Sequence, residues 1–394
     1  LTTSAFGGEQ TAHVLRAWEP LALYRFLFNR QARAGLAPSF ARTDAGPFKG
    51  LVRALRTRVL IPDAQMTWLP SALLMALRRL RRQRANLIYS TYPPASAHLL
   101  GLLLKRLTGL PWVADFRDSW VSDPLDPALE ESPGRRAVEQ RLEKIVVCRT
   151  DALVAATEII AGYLGHDYPE AARRIRVITN GFEPDGASGQ TLPAPSVEGP
   201  LRLLHTGSFS LSHARRTPRP LLAALQELLA QDPGWAGKLH VALVGPLTQA
   251  EKEAAAPLVR AGMVRLEEPQ AREAVLARQR QAHVLLLIDH VRSCPSSNVP
   301  GKFYEYLAAQ RPILSLGGPG MVERLLGRLR AGLHVPGNDV QAIRRALEEL
   351  HARFLRQELR WEVDEGELRR FHRRYLARQL ALCFDELVEG RLAR

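Results

Sequence analysis

Short apolar runs alternate along most of this chain with longer stretches in which apolar residues return every three or four positions. The pattern predicts strands at Arg58–Ile61, Leu87–Thr91, Trp112–Phe116, Ala152–Ala156 and Ile175–Thr179. Helices at Pro70–Arg84, Ala95–Leu107 and Gly134–Arg149 are expected between them. Such alternation implies a mostly parallel sheet with helices on both faces. Residues 183–200 break the rhythm with Pro184, Gly186, Gly189, Pro193, Pro195, Gly199 and Pro200, the composition of a linker. The alternation then restarts, with strands at Leu201–His205, His240–Val244, Val264–Leu266, Val284–Ile288 and Pro312–Leu316. Helices at Pro218–Ala230, Gln249–Ala261, Arg272–Gln281 and Pro300–Ala309 separate them. From Asp339 to Leu387 the sequence reads as helix, dense in Arg and Glu.

The expected architecture is α/β, with two Rossmann-like doubly wound domains facing an interdomain cleft. Its parts are a first domain over residues 1–182, a linker at 183–200, a second domain at 201–338, and helices at 339–394 that partly cross back to the first domain. A length of 394 residues suits two cores better than one. Ligands of open α/β sheets bind beyond the carboxyl ends of the strands, so the cleft is where a site is expected. Leu1–Ser4 reads as the tail of a strand with no partner before it, so the first domain is expected to lack its first βα unit.

Charge changes the picture more than composition does. The net charge of +14 is concentrated in residues 1–106, which carry +12, while the remaining residues carry +2. Such a field attracts an anionic partner: phospholipid headgroups, nucleic acid or a phosphorylated substrate. An arginine-rich codon composition accounts for part of the excess equally well. Nucleic acid is disfavoured, because the basic segment lacks interleaved aromatics and no helix-turn-helix or zinc pattern occurs. The Pro70–Arg84 segment sets Leu73, Leu74, Leu77 and Leu80 on one side and Arg78, Arg79, Arg81, Arg82 and Arg84 toward its end. It reads either as an interfacial helix on anionic lipid or as a domain helix whose arginines favour the C-terminal dipole. No apolar run approaches membrane-spanning length, and three scattered cysteines fit a reducing cytoplasm. Neither a structural zinc nor a disulfide framework is indicated. Walker-type and Gly-x-Gly-x-x-Gly patterns are absent, which argues against an ATPase or a dehydrogenase.

The sharpest chemical signal is Pro300-Gly301-Lys302-Phe303-Tyr304-Glu305. Pro300 suits a helix start, and Gly301 allows a ligand close to free backbone N–H groups. Lys302 and Glu305 share a helical face, an ammonium for a diphosphate and a carboxylate for two ribose hydroxyls; the same spacing also suits an exposed i,i+3 ion pair. Arg216 precedes the helix expected at Pro218 and is a second candidate cation. Asp115, Arg117 and Asp118 follow a strand at its carboxyl end, where position nominates them for acceptor binding, with Asp118 as the base-like group. Asp115 and Arg117 equally suit a pair that braces the loop. His98 follows a strand and a Pro-Pro turn, a position open to a sugar contact or to a core role.

Pro300–Leu314 (PGKFYEYLAAQRPIL), His205-Thr206-Gly207-Ser208, Val177–Phe182 and Pro111–Trp120 together resemble bacterial family 4-type glycosyltransferases of GT-B fold. Tyr92–His98 and Ile61–Trp68 are similar to a subgroup found among cell-surface polysaccharide enzymes. The likeness extends over roughly residues 57–390. It implies transfer of a sugar from a nucleotide-diphosphate donor to a glycan or lipid-linked acceptor, usually with retention, by a cytoplasmic enzyme peripheral on the inner face of the membrane. By the same resemblance Glu305 holds the ribose, Lys302 and Arg216 meet the diphosphate, and Gly207 and Ser208 form the turn that admits the donor phosphates. The family's Glu-x7-Glu is incomplete, because Ser297 stands at the first glutamate. Asn298, or the backbone of Ser296–Asn298, is expected to take over contacts to the donor sugar. No Asp-x-Asp occurs, so neither metal nor cofactor is expected, and fixed cations take the charge of the departing diphosphate. A nucleotide-sugar epimerase of the same shape and a non-catalytic basic binding protein are the alternatives.

Overall fold

The computed structural model describes residues 17, 60–124, 129, 132–184, 195–196, 198–213, 215–292 and 294–392. The expectations for Leu1–Ser4, the missing βα unit, most of the basic N-terminal segment and the middle of the linker lie outside these residues. In the first lobe four parallel strands stand in chain order: β1 (Ile88–Tyr92), β2 (Trp112–Phe116), β3 (Ala152–Ala155) and β4 (Ile175–Val177). Helices α1 (Leu69–Arg82), α2 (Ala95–Thr108), α3 (Pro133–Arg149) and α4 (Glu158–Asp167) accompany them. β2 and β3 are buried at every position, which is why WVADF and ALVA read as continuous runs rather than as polar alternation.

The second lobe is a six-stranded parallel sheet built from β5 (Leu201–Thr206), β6 (Leu239–Val244), β7 (Val264–Glu267), β8 (Val284–Ile288), β9 (Ile313–Gly317) and β10 (Gly332–Pro336). Its helices are α5 (Arg219–Gln231), α6 (Trp235–Lys238), α7 (Gln249–Arg260), α8 (Arg272–Gln281), α9 (Gly301–Ala309), α10 (Met321–Leu329) and α11 (Val340–Leu355). The spatial order is β10-β9-β8-β5-β6-β7. The chain winds outward from β5 to β7, returns to β8 beside β5, and winds outward the other way. The switch point therefore falls between β5 and β8, and the crevice at their carboxyl ends is where such sheets bind ligands.

Helices α12 (Glu365–Arg369) and α13 (Arg373–Leu392) come last in chain order. α13 lies on the first lobe, where Leu376 and Cys383 pack with Val113, Val154 and Ile178. The two passages between lobes run side by side: Phe182 N–H donates to Phe371 O and Arg373 N–H to Phe182 O, both at 3.0 Å.

Four features depart from the sequence pattern. Leu60 and Ile61 are not strand, and Arg58 and Val59 lie outside the described residues, so the Arg58–Ile61 strand is not observed. α6, α10 and β10 have no counterpart in the predicted elements. β10 is an edge strand that opens on Gly332 at φ 151° and closes on Pro336, so its composition reads as a turn even though an edge tolerates both residues.

Candidate functional site

Helix α9 places the site. Phe303, Tyr304, Tyr306 and Leu307 are buried, fixing one face against the sheet. The Tyr306 hydroxyl accepts from Thr206 N–H at 3.2 Å and donates to Leu286 O at 3.3 Å, joining the helix to β5 and β8 at the switch point. Pro300 supplies no side-chain cap, so the first N–H groups of α9 are left for another acceptor. A Cβ at Gly301 would meet nothing within 4 Å, so the space over this turn is open.

Lys302 does not pair with Glu305. Its ammonium lies 3.4 Å from His205 Nε2 and over Gly207, where a Cβ would come within 2.5 Å of Nζ. Gly207 takes φ 112°, and its N–H donates to Val244 O at 2.7 Å. Burial, and then Arg216, lower the Lys302 pKa to about 8, while Asp289 and Glu305 act in the opposite sense. His205 Nδ1 faces Leu286 O at 2.9 Å. A carbonyl only accepts, so Nδ1 carries the proton and Nε2 is left to accept from Lys302. Among the described residues Lys302 forms no ion pair.

Arg216 reaches the same place from the loop before α5. It donates to Asp289 Oδ1 through Nη2 at 2.8 Å and Nε at 3.2 Å, and to Ser212 Oγ at 2.9 Å. Asp289 follows β8, and His290 N–H and Nδ1 each lie 2.9 Å from its Oδ1. Burial opposes ionisation of Asp289, but the His290 hydrogen bond and the Arg216 charge hold its pKa well below the usual carboxylate range. His213 stacks on His290 with ring centroids 3.9 Å apart.

Glu305 faces a cavity of about 600 Å³ between the lobes, lined also by Asn180, Phe182, Arg272, Gln279, Gly301 and Tyr304. Its partner is Arg272, 3.3 Å away and largely exposed. Pairs of that kind contribute about 0–1 kcal/mol, so the carboxylate is readily given up to ribose hydroxyls. Ser208 is half-buried, with its carbonyl accepting from Ser212 Oγ. Asn298 lies in a separate shallow depression with Asp289, His290 and Ser296.

In the first lobe the candidates separate. Asp118 is half-buried and forms no hydrogen bond or ion pair among the described residues. Burial raises its pKa to about 6, against Arg117 and Arg292, with Asp123 adding to the rise. Arg292 belongs to the second lobe, so Asp118 lies within reach of that lobe's charge. Asp115 is 1% exposed and accepts from Tyr89 Oη, Thr91 Oγ1 and Arg117. Arg117 also donates to Ile178 O at 3.2 Å and Asn180 Oδ1 at 2.8 Å, so the pair braces the segment after β4, one of the two roles the sequence leaves open. His98 takes the core role and not the sugar contact. It is fully buried among Phe116, Trp112, Trp120 and Tyr92, with Nδ1 2.8 Å from Ser90 Oγ, and its burial lowers the pKa to about 3.

Asp123, Asp289, His290 and Arg292 were not nominated from sequence. Asp289 and His290 directly follow β8, and the strand-end argument applied to Asp115 reaches them too. No periodicity or motif marks Asp123 or Arg292. Among the described residues no group of three or more His, Cys, Asp or Glu side chains is placed to hold a metal ion.

Residues 17–181 match a glycosyl transferase 4-like domain. No curated protein matches the sequence. Among solved structures the chain is similar to sucrose-phosphate synthase from Thermosynechococcus elongatus, with TM-score 0.60 at 17% identity over 82% of this chain and 79% of that one. It is also similar to Anabaena HepE in complex with UDP, with TM-score 0.58 at 14% identity over 80% and 82%. A glycosyltransferase from Rickettsia africae gives TM-score 0.60 at 13% identity over 88% and 89%. The fold is that of the GT-B glycosyltransferases.

Proposed function

We propose that this GT-B chain is a glycosyltransferase that takes a sugar from a nucleotide-diphosphate donor held by the second lobe and passes it to a glycan or lipid-linked acceptor held by the first. The observation that carries this reading is the convergence of Lys302, Arg216, the open first turn of α9 and the Gly207 turn beside Glu305 and the interlobe cavity. As the bond between the sugar and the diphosphate breaks, negative charge grows on the departing phosphate. Two half-buried cations and uncapped N–H groups meet it without reorganising at that moment. Glu305 accepts the ribose hydroxyls after leaving Arg272.

Asp118 is the acceptor-side group. A carboxylate titrating at about 6 is ionised at neutral pH yet basic enough to draw a proton from an acceptor hydroxyl. With retention of configuration the departing phosphate oxygen takes that proton, and Asp118 orients the hydroxyl instead. Asn298 lines the same small depression as Asp289 and is the candidate for a donor-sugar contact.

The first lobe also offers a surface for anionic lipid. Leu74 on α1 and Leu103 and Leu107 on α2 are exposed, and α1 and α2 pack together. Arg81, Arg82 and Arg84 at the end of α1 and Arg106 on α2 are exposed beside them. Each such cation near an anionic bilayer adds on the order of 1 kcal/mol. An inner-face, peripheral enzyme of cell-surface polysaccharide assembly fits this surface. Salt-sensitive sedimentation with phosphatidylglycerol vesicles, and its loss in Arg81→Glu/Arg82→Glu, tests it.

The donor reading is tested by a melting-temperature panel of UDP, GDP and dTDP sugars on wild type, Lys302→Ala and Glu305→Ala. A ligand that binds only the folded chain raises its melting temperature. At least one nucleotide is expected to do so in wild type and neither variant to respond fully. No response in wild type, or equal responses in all three, overturns the reading.

A further inference from the structure

Ser297 belongs to the second lobe, yet every polar group it has is bonded to the first. Asp123, in the loop after β2, accepts on Oδ2 from Ser297 N–H at 2.8 Å and from Ser297 Oγ–H at 2.6 Å. Thr157, which also caps α4, donates its hydroxyl to Ser297 O at 2.9 Å. Ser297 and Asp123 are 1% and 3% exposed. The other Asp123 oxygen pairs with Arg292 across the same boundary. Arg292 Nε donates to His290 Nε2, and His290 Nδ1 in turn donates to Asp289, which holds Arg216. One unbroken line of charged and hydrogen-bonded groups thus runs from a first-lobe carboxylate to a cation of the donor site.

We propose that Asp123 is a positioning residue. Its carboxylate holds the segment from Asp289 to Pro300 in working shape, so that the anion-binding groups of the second lobe are fully set only when the first lobe is seated against it. The role assigned to that segment rests on the donor reading above; the tie between lobes does not. Position 297 is a serine, and the carboxylate it bonds arrives from the opposite lobe. When the lobes part, Asp123 and Arg292 regain water and lose each other, while the N–H, hydroxyl and carbonyl of Ser297 lose all their partners. A segment freed of these four contacts and of the hydrogen bond from Tyr163 Oη to Pro295 O at 3.4 Å exchanges its amides faster.

The test compares the full wild-type chain without nucleotide with Asp123→Ala, Asp123→Asn, Asp123→Glu and Ser297→Ala. Small-angle scattering reads lobe separation, and hydrogen exchange reads the peptide spanning residues 295–300. Asp123→Ala is expected to raise the radius of gyration and to speed exchange in that peptide by about tenfold, with β2 keeping its protection. Asp123→Asn and Ser297→Ala should move both readouts less and in the same direction, and Asp123→Glu should restore part of the protection. If Asp123→Ala fails to fold, the two milder variants carry the test. Wild-type values in both of them overturn the proposal. Parallel loss of β2 protection makes Asp123 a general structural residue and overturns it equally. Neither readout uses nucleotide, so a chain that binds no UDP leaves them intact, and the two readings fail separately.

Discussion

Lys302 donates to the neutral Nε2 of His205, so the ammonium nearest the donor site is held by a group carrying no charge. Burial and Lys302 together keep His205 unprotonated, with its pKa well below the ordinary range. The cation is oriented without being neutralised, as an anion site requires.

UDP affinity should therefore fall as pH rises through about 8, where free Lys302 loses its proton. Isothermal titration calorimetry from pH 6.5 to 9.5 checks this. Lys302→Ala should remove that pH dependence and weaken binding about 10- to 150-fold, the range for a charge-assisted hydrogen bond of about 1.5–3 kcal/mol. The stability effect has the opposite sign. The unfolded chain keeps this proton up to the usual lysine range, so raising pH above about 8 relieves a cost of the folded state. Without ligand, melting temperature in Lys302→Met should exceed wild type most clearly below pH 8.

Glu305 should set the preference for ribose. Wild type is expected to bind UDP more tightly than 2′-deoxy-UDP, and Glu305→Ala to bind the two about equally. Calorimetry with both nucleotides decides it, and a preference unchanged in the variant removes Glu305 from the ribose.

Asp118 links activity to stability. Its pKa is raised to about 6, so between its unfolded value and pH 6 the native state binds more protons than the unfolded chain, and stability falls as pH rises through that window. Asp118→Asn should raise the melting temperature at pH 7 and lose that advantage below about pH 4. It should also abolish the acid limb near pH 6 in a transfer assay. A variant with wild-type turnover and an intact limb leaves Asp118 without a part in the chemistry.

His98→Ala should cost roughly 2–4 kcal/mol, because it opens a hole inside an aromatic cluster. UDP affinity should be unchanged in the folded protein. Chemical denaturation with calorimetry on the same sample checks both halves.

The contrast between His98 and Lys302 shows how far the chain could be read without coordinates. The α/β repetition was legible because buried parallel strands leave unbroken apolar runs, and the Pro300–Glu305 segment because helix-start chemistry and charge spacing coincide there. His98 and Asp115 stay open between two roles in the sequence because a place at or beyond the end of a strand does not say whether a side chain turns toward the cleft or into the core. Ser90 and the aromatic rings claim the first, and Tyr89 with Arg117 the second. Asp123 carries no local signal, since its partners Arg292 and Ser297 lie about 170 positions away and meet it only through the docking of the lobes.

Because α13 comes home to cover Val113, Val154 and Ile178, the first lobe is assembled from two stretches of polypeptide with the whole second lobe strung between them. During synthesis that face stays bare until α13 leaves the ribosome, so completion of the first half waits on the second. A fragment cut at the linker would expose the same apolar face, and supplying the missing half as a separate polypeptide should rescue its solubility.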